Sequence, residues 1–88
     1  MARKVIFSNH ALLRMKERFI SREMALEAIK NPDKIEKSDQ NPFRLLIKKI
    51  YFNSTLKKDH LLMLVCEAGA EKVKVITIVD TSKISKYF

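Results

Sequence analysis

The sequence predicts an α+β domain, with an N-terminal helical hairpin packed on a three- to four-stranded antiparallel sheet. Two observations predict it. Before Asn31-Pro32 the apolar residues recur at helical spacing, and after it they fall into strand-like runs. Helices and strands kept apart in this way, with short connections, give an α+β layering.

The elements follow in order. Val5-Ile6-Phe7 is a short apolar run that reads as an edge strand or as a lead-in. Ser8 offers a capping hydroxyl for a helix from Asn9 to Phe19, in which Ala11, Leu12, Met15 and Phe19 make one apolar stripe. Ser21 opens a second helix, with Glu23 in its first turn, where a negative charge suits the helix dipole. Met24, Ala25, Ala28 and Ile29 form its apolar face, and Pro32 stops it. Ile35 lies in a short polar edge strand, and residues 38–42 form a turn. Phe43–Phe52 is rich in aromatic and β-branched residues. The continuous apolar run 61–66 suits a central strand covered on both faces. In the last strand, 72–79, Val73 and Val75 alternate with Lys72 and Lys74. Tyr87 and Phe88 end the tail, either anchored on the sheet or exposed. The sheet face away from the helices is expected to be partly open and basic.

Composition narrows the function. The 88 residues carry a formal net charge of +8, which favours a polyanionic partner. Residues 1–49 hold twelve Lys and Arg against six Asp and Glu, so most of the excess lies in the helices and first strands. A single glycine, Gly69, excludes glycine-rich phosphate loops and dinucleotide fingerprints, so no nucleotide cofactor is expected. One cysteine and two histidines make neither a disulfide framework nor a zinc signature. No apolar stretch is long enough for a membrane span or a secretory leader, and a cytoplasmic location is expected.

His10, Arg14 and Arg18 recur every four residues along one edge of the first helix. Imidazole exchanges protons near neutral pH, and guanidinium groups hold phosphate through forked hydrogen bonds. Such a row suits cleavage of RNA through its 2′-hydroxyl, with His10 as acid or base and the arginines on the phosphate. The same row also reads as ordinary helix capping and ion pairing. His60, beside Lys57-Lys58-Asp59, reads as a solvated loop residue. Phe43, Tyr51 and Phe52 read as core at strand spacing, with base stacking as the alternative. Cys66 reads as a buried, inert thiol.

The pattern Ser8-x-His10-Ala11-x-x-Arg14-Met15-x-x-Arg18-x-Ile20-Ser21, followed by a second helix and Asn31-Pro32, resembles a family of small prokaryotic proteins known as a domain of unknown function. The strand Val73-x-Val75-Ile76-Thr77-Ile78-Val79 and Tyr87 also look like that family. The family is grouped with RelE-type and barnase-like ribonuclease toxins. That resemblance implies a RelE-like fold and a metal-independent ribonuclease or toxin role, with RNA and an acidic antitoxin as partners. By the same analogy Arg44, Lys48 and Lys74 are candidate nucleic-acid contacts, and Tyr87 is a further catalytic candidate. The competing readings are a non-catalytic module that binds nucleic acid or an antitoxin, and a self-associating structural protein.

Overall fold

The computed structural model describes residues 4–88. Its elements are β1 (Lys4–Phe7), α1 (Asn9–Arg18), α2 (Arg22–Lys30), β2 (Lys34–Lys37), β3 (Arg44–Asn53), β4 (Lys58–Ala68), β5 (Lys72–Thr81) and α3 (Ile84–Tyr87). The five strands form one sheet in the order β1-β5-β4-β3-β2. β1 runs parallel to β5, and the other neighbours are antiparallel.

This corrects the expected architecture. The sheet is five-stranded and mixed, not three- to four-stranded and antiparallel, and of the two readings of Val5-Ile6-Phe7 the strand is the one that holds. Val5-Ile6-Phe7 gains its strand identity from pairing with Val73, Lys74 and Val75, almost the whole chain away. The two helices do not act as a hairpin unit either. α1 lies on β5 and α2 on β3, because each spends its apolar stripe on the sheet. Ala11, Ala25 and Ala28 are fully buried there, and their small side chains allow a close approach. They join Met15, Ile20, Ile47, Leu62, Leu64, Cys66, Val75 and Ile78 in one core.

Two local devices set the geometry. Ser8 caps α1, its Oγ accepting from the Ala11 N–H at 3.0 Å, and the same hydroxyl donates to the Ile76 carbonyl at 2.6 Å. Ile76 is the extra residue of a β-bulge, since Val65 faces Thr77 while Cys66 faces Val75. Before the bulge Val73 and Val75 point at the helices; after it Ile78 and Asp80 do, so the bulge switches the parity of β5.

The other sheet face is less open than expected. Lys48 is only 5% exposed, and its ammonium binds Glu36 and the backbone oxygens of Tyr87 and Phe88. The α3 segment therefore covers that part of the sheet, which also holds the fully buried Leu61.

Candidate functional site

At one end of the sheet, three adjacent strands bring three polar side chains together. Tyr51 on β3 faces His60 on β4, and Asp80 on β5 stands beside them. Asp80 Oδ1 accepts from the Tyr51 hydroxyl at 2.8 Å and lies 3.0 Å from His60 Nδ1. The Tyr51 and His60 rings meet edge to face, with centroids 5.9 Å apart. A carboxylate oxygen only accepts, so this contact places the imidazole proton on Nδ1. His60 is 6% exposed, and its Nε2 is buried without a hydrogen-bond partner among the described residues. An unsatisfied buried ring nitrogen is unusual in a folded protein and calls for an explanation.

Burial, and then the bond to Asp80, push the Tyr51 phenol up to about 12, so it stays protonated and holds Asp80 in place. Burial alone pushes the Cys66 thiol up to about 12, which keeps it from nucleophilic chemistry.

His60, Asp80 and Tyr51 form the inner wall of a cavity of about 580 Å³. The end of α1 and the turn after it roof it with Arg18 and Phe19, α2 adds Met24, and the β3–β4 turn adds Ser54, Thr55 and Leu56. That turn is built by Asn53, whose side-chain oxygen accepts from the Leu56 N–H at 3.0 Å. Arg18 also lines a second recess of about 160 Å³ together with Arg14 and residues 77–80 of β5. The two arginines thus sit over the strand that carries Asp80.

The residues expected from sequence fall in several places. Arg14 and Arg18 come together over β5, whereas His10 is exposed on α1 and lines neither recess. Tyr87 is on α3, where its backbone oxygen binds Lys48. Arg44 lies 3.9 Å from Glu67, and Lys74 is exposed on β5 opposite the same residue. Lys48 is engaged internally, which leaves its ammonium no face for a phosphate. His60 is no solvated loop residue, because β4 begins at Lys58 and carries it inward. The signal was its parity: His60, Leu62, Leu64 and Cys66 are spaced by two, so His60 shares the face of the most apolar run. Among the described residues, no group of three or more His, Cys, Asp and Glu is placed to hold a metal ion. No helix among them is long and apolar enough to cross a membrane.

A family described as a domain of unknown function (DUF4258) matches residues 7–80. The chain belongs to this family. No curated protein and no solved structure matches it. The DUF4258 match takes in α1 with His10, Arg14 and Arg18, and all three strands of the cavity wall. It ends on Asp80, ahead of α3 and Tyr87.

Proposed function

We propose that this domain binds RNA and cleaves it without a metal, at the cavity walled by His60 and Asp80. One observation carries the reading: a buried imidazole is fixed by a carboxylate on one nitrogen, left unpartnered on the other, and set in a cleft that arginine roofs. The grouping of the family that the α1 pattern resembles with RelE-type ribonuclease toxins agrees with it, as does the +8 charge. A toxin role with an acidic antitoxin rests on that resemblance alone.

In this reading entry of the RNA uncovers His60 Nε2, which is closed to solvent in the free protein, and it takes the 2′-hydroxyl proton as the 2′-oxygen bonds to phosphorus. The P–O5′ bond breaks, and O5′ is protonated by the imidazolium or by water. The products are a 2′,3′-cyclic phosphate and a 5′-hydroxyl. Arg18 and Arg14 face the charge that grows on the phosphorane oxygens, and Asp80 holds the ring in its working tautomer. His10 is the rival base, chosen by its spacing to the same arginines.

The test is cleavage of labelled RNA, both free and ribosome-bound, by purified protein in EDTA. Cyclic phosphate ends are expected, with the rate falling about 100-fold or more in His60→Gln and little in His10→Ala. A loss confined to His10→Ala moves the chemistry to α1. Absence of cleavage on every RNA removes the enzymatic reading and leaves the non-catalytic module.

A further inference from the structure

Phe19 is the most exposed large apolar side chain in the described structure, at 91%, and it stands on the roof of the cavity beside Arg18. Its backbone is in the left-handed region, at φ 56° and ψ 39°. The position closes α1 in a Schellman turn, with the Ile20 N–H bonded to the Met15 carbonyl at 2.8 Å. Glycine or asparagine adopts this conformation at lower cost. Nothing in the fold repays a phenylalanine here, because its ring is in water and the buried partner of the turn is Ile20. Leu56, more than half exposed, reaches the same cavity from the β3–β4 turn opposite.

We infer that Phe19 is a stacking platform, and that the cavity takes one unpaired base from a single-stranded polynucleotide whose phosphate lies on Arg18. This rests on the RNA reading above and names its substrate class. A cavity of about 580 Å³ is within the range of small-ligand clefts. Base faces are hidden in a duplex, so an aromatic platform of this kind selects single strands whatever their sequence. The chain's charge of +8 points the same way, and in the cavity, where Glu17 and Asp80 are the carboxylates, Arg18 is the cation that can meet a phosphate.

The experiment uses fluorescent single-stranded DNA, which lacks the 2′-hydroxyl and cannot be cut by the proposed chemistry, so binding is read apart from cleavage. Anisotropy titrations should show tighter binding to the single strand than to a duplex of the same sequence. Phe19→Gly should weaken single-strand binding about tenfold, and Phe19→Tyr should retain it. Phe19→Gly should also raise the thermal midpoint, which separates a lost platform from a damaged fold. Its salt dependence should match wild type, whereas Arg18→Gln should flatten the slope by about 0.7. Equal affinity for duplex and single strand, or unchanged binding in Phe19→Gly, overturns the platform while leaving the cleavage assay to judge the site. Phe19-dependent capture of polyglutamate in place of the oligonucleotide overturns it in favour of an acidic protein partner.

Discussion

Asp80 Oδ1 serves two neighbours at once, and its second bond explains what Tyr51 contributes. The phenol is half-buried, and its ionised form would face a carboxylate without a proton between them. Its folded value is therefore raised from 10.0 to about 12. A raised value favours the protonated form, so the stabilisation is complete below the unfolded value and is lost as pH rises through the folded one. Denaturant midpoints should accordingly fall between about pH 10 and 12 in wild type, and this component should be missing in Tyr51→Phe. An identical alkaline decline in both proteins would show that the fold does not hold the Tyr51 phenol protonated. His60 is the residue whose role was most hidden, because its neighbours in sequence are charged while its neighbours in space are apolar.

Among the elements, the junction of α1 with β5 carries the most weight for its size. One hydroxyl caps the helix and satisfies the carbonyl that the bulge frees. Ser8→Ala removes both bonds and should cost about 1–3 kcal/mol by chemical denaturation, more than an ordinary cap, whereas Ser8→Thr should recover much of the loss. A cost below half a kcal/mol would mean that water replaces the hydroxyl at Ile76. Much of the element plan was legible in the chain. Both helices begin behind their serines, the second stops at Asn31-Pro32, and β3, β4 and β5 lie close to their apolar runs. Two features were legible only in part. Val5-Ile6-Phe7 reads as an edge strand or a lead-in, because only its distant partner β5 decides between them, and four-residue α3 is too short for a periodicity to announce it. The bulge left a faint trace, since the alternation of Val73 and Val75 fails at Ile76-Thr77-Ile78-Val79, where four apolar or β-branched residues run together. That failure also concealed Asp80. Counted by strict alternation from Val73, it faces away from His60.

The whole molecule is tied across its second face by a cluster of charge and backbone. Lys48 on β3 binds Glu36 on β2 and the backbone oxygens of Tyr87 and Phe88, and Lys34 also reaches Phe88, at 2.7 Å. The bond to Lys48 is the main reason the Glu36 carboxyl sits below its ordinary range. A lowered carboxyl stabilises the fold above its unfolded value and stops doing so as pH falls through the folded one. Glu36→Gln should therefore be less stable than wild type at neutral pH, with the gap closing in acid. Lys48→Met should cost less than Glu36→Gln, because it removes a buried charge instead of stranding one. The reverse order would show that the ammonium serves the backbone oxygens more than the carboxylate. One of the basic residues thus works inside the protein and is not among those that can meet a polyanion. The bulge at Ile76 has a consequence of another kind. It divides β5 into two stretches that answer to different demands, Val73 and Val75 to the core and Asp80 to the cavity. Losing the codon for Ile76 would remove the bulge yet leave both stretches facing as they do, because Thr77, Ile78, Val79 and Asp80 would keep Val65, Leu64, Met63 and Leu62 as their partners. What the extra residue supplies is the carbonyl that Ser8 binds, so a chain without it would keep its fixed imidazole and lose the tie between the start of α1 and β5.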